Sequence, residues 1–272
     1  MKSKLLPVVL ALAGVAASGA ASAAIIGGVN FGPFGNHIET TTVAETFING
    51  SGQLLKGYGV VSTVNGSNAY TGDASQLFFT FTYTSQNFTG ATSEFINGTV
   101  NIYKGTLANL LTQSSDTNYA TIQGMSEWVR LTGHANLGGA ASPTAEIRAT
   151  GTLTGNTLTF TGGGLLDVDT SSAFGLASVR SFLDANTVID NIGGLADIIQ
   201  STSGNNFVLN SFDNTAGCRD GTATAGTAAS AGQWCIAGST DLRGDVVPEP
   251  ASLALVGLGL IGLVASRARK SA

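Results

Sequence analysis

The segment Gln76–Thr84 alternates between two faces along its whole length, and this pattern constrains the fold of the chain more than any other. One face is large and apolar throughout, since it carries Leu77, Phe79, Phe81 and Tyr83. The other face begins with Phe78 and continues with threonines. Successive side chains of an extended strand point to opposite faces, so the pattern predicts a β-strand whose apolar face packs in a core.

Four other segments have strand-like sequences: Leu54–Val64, Thr99–Tyr103, Glu127–Leu131 and Ala145–Leu153. Asn-Gly pairs and the pair Gly155-Asn156 separate such segments in the manner of tight turns. Charged residues make up only 11% of the chain, so Thr, Ser and Asn must supply most of its polar surface. Many short strands joined by frequent turns predict a mainly β fold, with a single β-sandwich or jelly-roll-like domain.

Two stretches depart from the strand pattern. Within residues 173–200, the segments Ala177–Leu183 and Ile189–Gln200 predict one or two short helices or an insertion loop. The run Gly162-Gly163-Gly164 lacks the Lys-Ser/Thr pair of a phosphate-binding loop, and it predicts a strand end or a bulge instead.

The N-terminus has the layout of a secretory signal peptide. Lys2 and Lys4 precede an apolar run, Leu5–Ala17, and Ala21-Ser22-Ala23 then matches the A-x-A cleavage pattern, with Ala21 and Ala23 as its small residues. We therefore predict cleavage after Ala23 and export through the Sec translocon, rather than a buried N-terminal helix. Export places the domain in an oxidising compartment, where disulfides form.

The C-terminal residues follow a second ordered layout. Pro248-Glu249-Pro250 resists regular structure, because proline lacks an N–H group and restricts the residue before it. An uncharged run, Ala251–Ala265, comes next and is followed by Arg267, Arg269 and Lys270. The run predicts a short membrane helix, and the basic cluster predicts a stop-transfer signal that stays in the cytoplasm. A plain membrane anchor is the alternative interpretation.

This order of Pro248-Glu249-Pro250, apolar span and basic cluster resembles the PEP-CTERM sorting domain of Gram-negative bacteria. The resemblance implies cleavage by exosortase, a membrane-embedded cysteine protease, after transient insertion in the inner membrane. It also implies delivery of the protein to the cell surface or the exopolysaccharide matrix. The segments Gln53–Gly59 and Gly164–Val168 are similar to flocculation-associated PEP-CTERM proteins, which implies a role in floc or biofilm formation.

The predicted organisation has five parts. They are a signal peptide (1–23), a β-rich extracellular domain (24–242), a tether with the Pro-Glu-Pro motif (243–250), a transmembrane sorting helix (251–266) and a basic cytoplasmic tail (267–272). Between Ala24 and Pro248 there are seven basic and sixteen acidic side chains, a formal charge of −9. Phosphate backbones repel such a domain, which excludes nucleic acid as a partner.

Two cysteines, Cys218 and Cys235, flank a stretch rich in Gly, Ala, Thr and Ser. A pair of cysteines in an exported chain predicts a disulfide, because a redox pair would be spaced as C-x-x-C and no histidine lies near to complete a metal site. In the chain-entropy model a disulfide that closes a loop of this length contributes about 3 kcal/mol.

Candidate catalytic and metal-binding residues are few. His37 and His134 are the only histidines, and the sequence has no G-x-S-x-G elbow. We therefore predict that each histidine is a surface or hydrogen-bonded residue without a catalytic role. Asp167 and Asp169 form an oxygen-rich segment of the kind that Ca²⁺ uses, as does Asp213-Asn214. Both segments lack the EF-hand pattern and are typical of solvated turns. No metal or cofactor is predicted.

Three functions remain open from the sequence. The first is a non-enzymatic surface or matrix protein associated with exopolysaccharide. The second is an exported carbohydrate-active enzyme, for which Glu94, Glu127 and Glu146 are candidate carboxylates. The third is a carbohydrate-binding module, in which Trp128 or Trp234 stacks on sugar rings. Large aromatic residues are usually buried, so we predict that the two tryptophans pack in the core rather than on sugar rings.

Overall fold

The computed structural model describes residues 24–32, 35–107, 114–154, 157–171, 173–205 and 231–245. The helices and strands of these ranges are, in chain order, β1 (Ile25–Ile26), β2 (Val29–Asn30), β3 (Asn36–Thr46), β4 (Leu54–Val60), β5 (Thr63–Val64), β6 (Gln76–Gln86), β7 (Thr92–Gly105), α1 (Ser115–Gln123), β8 (Ser126–His134), β9 (Ile147–Thr154), β10 (Thr157–Val168), α2 (Ala177–Leu183), β11 (Val188–Ile189), β12 (Leu195–Ala196), β13 (Ile198–Asn205) and β14 (Trp234–Gly244).

The main sheet closes on itself. Its strands follow the order β13-β14-β3-β4-β6-β7-β8-β10, and β10 pairs back onto β13. Strand β9 pairs with β7 and with the first part of β10, so it occupies the space between those two strands that β8 does not reach. The neighbours in this order are antiparallel. The result is a barrel-like sheet with eight strand positions and an enclosed interior.

The mainly β prediction is confirmed, but the predicted β-sandwich or jelly roll is wrong. The pairing that closes the sheet runs from Thr159 opposite Asn205 to Leu166 opposite Ile198. Alternation shows that one face of each strand is buried, yet it does not show whether a second sheet or the same sheet covers that face. The closing pair joins β10 to β13, which are separated in sequence, so no local sequence pattern predicts it.

The individual strand predictions correspond to β4, β7, β8 and β9, and Thr154 lies opposite Thr157 as a tight β9–β10 hairpin requires. The helix predicted at Ala177–Leu183 is α2, whereas Ile189–Gln200 forms the β11–β12 hairpin and the start of β13. Helix α1 was not predicted. The Gly162-Gly163-Gly164 run lies inside β10 rather than at a strand end, paired with β9 on one side and β13 on the other.

The interior of the closed sheet is the main core. The predicted apolar face of β6 contributes to it in full: Leu77, Phe79, Phe81 and Tyr83 all belong to the largest buried cluster. Strand β4 makes room for two of these rings with glycines. A Cβ atom on Gly57 would lie 2.0 Å from the Phe81 ring, and one on Gly59 would lie 2.5 Å from the Phe79 ring.

A smaller cluster lies on the outer face of β3, β4 and β6, where α1 covers it. Tyr58, Phe78 and Ile122 are buried there, and the Trp234 ring packs edge-on against Tyr58 at 5.2 Å between centroids. Ser114 caps the helix by accepting a hydrogen bond from the Thr117 N–H group. The second buried face explains why β6 carries Phe78 on the side that alternation assigned to threonines.

The two ends of the closed sheet differ. At one end the N-terminal residues and α2 pack across the opening, where Phe31 stacks on Trp128 at 6.1 Å and contacts Phe182 at 4.9 Å. Strand β14 also finishes at this end, with Gly244 opposite Asn36 and Ile198. We call it the plugged end. The loop between β6 and β7 and the β9–β10 hairpin lie at the other, open end.

Candidate functional site

A cavity lies inside the closed sheet and leads to its open end. Its volume is about 80 Å³. Apolar side chains form most of the wall, among them Val43, Leu55, Phe81, Ile147 and Ile236. A second void of about 20 Å³ lies further along the interior. Closed sheets of eight strands are just wide enough to hold one small ligand.

One carboxyl group sits in this apolar wall, among the described residues that line the cavity. Glu45 is 3% exposed and lies on β3 opposite Gly57 of β4 and Ile236 of β14. Burial raises the pKa of Glu45 to about 8. Within the part of the chain that the structure describes, no hydrogen bond or ion pair to its carboxyl group offsets that burial. A buried carboxyl group without a partner is destabilising, and such groups cluster at functional sites.

Two polar side chains line the cavity beside the apolar wall. The Tyr83 hydroxyl donates a 3.0 Å hydrogen bond to the Oε1 atom of Gln200, and both residues are buried. Burial, with smaller contributions from the charges of Glu146 and Glu45, raises the pKa of Tyr83, so its hydroxyl stays protonated. Gln200 lines both voids. The cavity therefore combines apolar walls with a small number of fixed polar groups, as ligand sites commonly do.

His134 lies between two carboxylates away from this cavity. Its Nδ1 atom is 2.9 Å from Asp167, and its Nε2 atom is 3.2 Å from Asp190. Burial lowers the pKa of His134, but hydrogen bonds to the two aspartates and their charges outweigh burial and raise the pKa. Asp190 also accepts from the N–H groups of Ile192 and Gly194. The histidine thus joins β8, β10 and the β11–β12 hairpin, a structural role.

Stability is expected to depend on pH through this histidine. Its raised pKa means that its contribution is complete below the ordinary value of about 6.5 and is lost as the pH rises through the folded-state value. In a double-mutant cycle of His134→Gln and Asp190→Asn, the coupling energy from urea unfolding should be larger at about pH 5.5 than at about pH 9. Equal coupling at both pH values would show that the pair is not charged when folded.

His37 belongs to a cluster with Glu39 and Asp241, whose ligand-type atoms lie within 4.8 Å of one another. Arg243 occupies the same place, since its Nε atom is 3.1 Å from His37 Nε2 and its Nη2 atom is 3.9 Å from Asp241. Thr63 donates a 2.6 Å hydrogen bond to Glu39. The guanidinium group already supplies positive charge, so the cluster is better described as a charge network than as a metal centre.

The candidate Ca²⁺ residues have protein partners. Asp167 contacts His134, while Asp169 accepts from the backbone and the hydroxyl group of Ser171 and lies 3.9 Å from the Nη1 atom of Arg130. These contacts favour the interpretation of a turn held by its own side chains. Asp213-Asn214 lies outside the described residues.

The three candidate carboxylates of a glycosidase each hold a different backbone segment. Glu94 accepts hydrogen bonds from Ser142 and from Asn87. Glu146 accepts a 2.6 Å hydrogen bond from the Gly98 N–H group, and Glu127 accepts a 3.4 Å hydrogen bond from the Gly175 N–H group. The two tryptophans are both buried, with Trp128 in the plugged end and Trp234 beneath α1.

Most of the predicted sorting and processing residues lie outside the described ranges. They are Ala21, Ala23, Pro248, Glu249, Pro250, Arg267, Arg269, Lys270 and Cys218. Cys235 is described: it is 1% exposed and packs with Phe47 and Ile236. The pairing of Cys218 with Cys235 stays a prediction.

Sequence reasoning missed Glu45. Strand β3 carries polar residues at most positions, so it did not resemble a strand with a buried face. Its pairing with β14 also contains a register shift between Gly238 and Thr240, which breaks the simple alternation. The available signal was the apolar pair Val43-Ala44 directly before the carboxyl group.

Comparison with known proteins identifies the C-terminal segment. A family model described as the PEP-CTERM protein-sorting motif matches residues 246–270. No curated protein and no solved structure matches the chain. Among the described residues, no helix is both long and apolar enough to cross a membrane. The sorting motif implies an exported protein with a membrane-anchored precursor that exosortase processes. Residues 246–270 of the chain therefore carry a PEP-CTERM protein-sorting motif.

Proposed function

We propose that this protein is a non-enzymatic component of the cell surface or exopolysaccharide matrix, where it contributes to biofilm or floc formation. The observation that carries the proposal is the sorting motif at residues 246–270. In this proposal the precursor is held in the inner membrane by residues 251–266, with Arg267, Arg269 and Lys270 in the cytoplasm. Exosortase then cuts near Pro248-Glu249-Pro250 and releases the domain outward.

The position of the tether supports this arrangement. Strand β14 ends at Gly244 on the plugged end, and the Pro-Glu-Pro motif follows it within six residues of sequence. A chain of six residues spans at most about 21 Å. The plugged end would therefore lie close to the membrane in the precursor, with the open end of the sheet directed away from it.

Three features support a non-enzymatic role over the carbohydrate-active alternative. Glu94, Glu127 and Glu146 are each engaged with backbone or loop groups, as described above. His134 has carboxylates on both ring nitrogens. The domain is acidic and has few charged residues, which suits a soluble matrix component. Release of reducing sugar from the native exopolysaccharide by the purified protein would favour the enzyme instead.

The dependence on exosortase can be tested in the native host. We expect the wild-type strain to carry the processed protein at the cell surface or in the matrix, and a strain without exosortase to retain the precursor in the inner-membrane fraction. Cell fractionation with immunoblotting measures both. Loss of flocs or biofilm in a strain that lacks this protein, with restoration by the wild-type copy, tests the matrix role. The same location in both exosortase backgrounds would contradict the proposal.

A further inference from the structure

We propose that the interior of the closed sheet is a binding site for a small apolar amine, whose ammonium group pairs with the Glu45 carboxylate while its hydrocarbon part occupies the apolar cavity. This inference does not depend on how the protein is sorted. It concerns a ligand that the exported domain carries, and it assigns a task to Glu45, a carboxyl group that the fold buries without a hydrogen-bond partner among the described residues.

The cavity is small. Its volume, about 80 Å³, is roughly half that of a cavity of about 150 Å³ that accommodates benzene. A hydrocarbon chain of a few carbon atoms fits this volume, and a longer chain can extend through the mouth. Phe88 and Gly90 of the β6–β7 loop and Leu158 of β10 border that mouth. The ligand is therefore narrow and enters lengthwise.

The carboxyl group of Glu45 has no partner in the protein among the described residues. Its side chain is more than nine-tenths buried, lines the cavity and forms no hydrogen bond with the rest of the described chain. By contrast, the buried carboxylate of Asp197 accepts hydrogen bonds from the N–H groups of Val168 and Asn186. The fold likewise supplies hydrogen-bond donors for the buried carboxylates of Glu94 and Asp190, but it leaves Glu45 facing a cavity. A ligand group that donates hydrogen bonds completes the Glu45 site.

The charges of the site and of the domain favour a cationic ligand. A carboxylate in an apolar wall is stabilised most by a cation that contacts it directly, since Coulomb attraction is strong where water is excluded. The acidic domain attracts cations and repels fatty-acid carboxylates. An amine therefore fits better than an acid, and better than an alcohol, which supplies no positive charge with which the ionised carboxyl group could pair.

Ion pairing in the cavity should release a proton, and this release can be measured. Burial keeps Glu45 protonated at neutral pH in the empty protein, so pairing with an ammonium group releases its proton to the buffer. The titratable group Tyr83 also lines this cavity, and the charges of Glu146 and Glu45 both raise its pKa. The neighbouring strands contribute uncharged residues to this wall: Gly57, Gln200 and Ile236.

Calorimetric titration of the protein recovered from the native host tests the proposal, with n-hexylamine, 1-hexanol and hexanoate as matched probes. We expect n-hexylamine to bind most tightly and to release about one proton at pH 7, measured in buffers of different ionisation enthalpy. Glu45→Gln should weaken n-hexylamine binding at least about tenfold and abolish the proton release. Ala149→Leu, which fills the cavity wall away from Glu45, should weaken both the amine and the alcohol.

Circular dichroism of each variant confirms that it is folded before it is titrated. Three results would overturn the proposal: no binding of any probe at millimolar concentration, a preference for hexanoate, or equal n-hexylamine affinity in Glu45→Gln and wild type. None of these measurements depends on processing by exosortase. A negative result would therefore leave the exosortase assignment unaffected, and a wrong exosortase assignment would leave the proposed amine site unaffected.

Discussion

Replacing Glu45 with Gln is expected to stabilise the domain at neutral pH by roughly 3 kcal/mol. Between the ordinary pKa of 4.5 and the folded-state value of about 8, the unfolded chain carries a charge at this position that the folded protein does not. The folded state therefore binds more protons, and stability falls as the pH rises through this interval. Glutamine has the same shape and does not titrate, so the variant loses this dependence.

Urea unfolding followed by circular dichroism from about pH 4 to about pH 9 measures the effect. At the acidic end both proteins carry a neutral side chain in both states, so their free energies of unfolding should be similar, which serves as an internal control. A contradictory result would be a variant that is less stable than wild type at every pH and whose free energy of unfolding depends on pH as steeply as that of wild type. It would mean that the carboxyl group has a partner that stabilises it.

Phe79→Ala is expected to lower the free energy of unfolding by about 3–5 kcal/mol. Phe79 is 5% exposed in the largest buried cluster and stacks on Phe81 at 6.4 Å between ring centroids. Its ring fills the space that Gly59 leaves open on the neighbouring strand. Removal of the ring leaves a void that the surrounding backbone cannot close, because strands on both sides fix its position.

Thr82→Ala is the matched control for this prediction. It lies on the same strand, β6, but on the face directed away from the main core. We expect it to change the free energy of unfolding by less than about 1 kcal/mol. If Phe79→Ala were as mild as Thr82→Ala, the strand would present its other face to the interior, and the closed-sheet arrangement would be incorrect.

The sequence predicted the strands better than their arrangement. Alternation in Gln76–Thr84 correctly assigned the inner face of β6, because side-chain direction in a strand depends only on local geometry. The closing pair of β10 with β13 depends on register between distant segments, which local patterns do not encode. Helix α1 was missed because its sequence, Ser115–Gln123, is polar and weakly amphipathic, so it carries little periodic signal.

The sorting segment could be predicted from the sequence, whereas the interior cavity could not. The sorting segment is linear: Pro248-Glu249-Pro250, the apolar run and the basic cluster are consecutive, so the sequence alone identified what the family model matches. The interior cavity is assembled from β3, β6 and β13, and Glu45, Tyr83 and Gln200 are far apart along the chain. Only the closed sheet brings them together, which is why no motif indicated the cavity.

The most direct test of the account is the location and mass of Glu249→Ala in the native host. Glu249 is the only charged residue between Asp245 and Arg267, so it is the charge that a protease could recognise beside the membrane. We expect the variant to remain in the inner-membrane fraction, about 2 kDa heavier than the processed form, since it keeps one membrane span. Asp245→Ala, an acidic residue outside the tripeptide, should be processed normally. If Glu249→Ala reaches the surface at the processed mass, the cleavage does not depend on the Pro-Glu-Pro motif and the exosortase assignment is wrong.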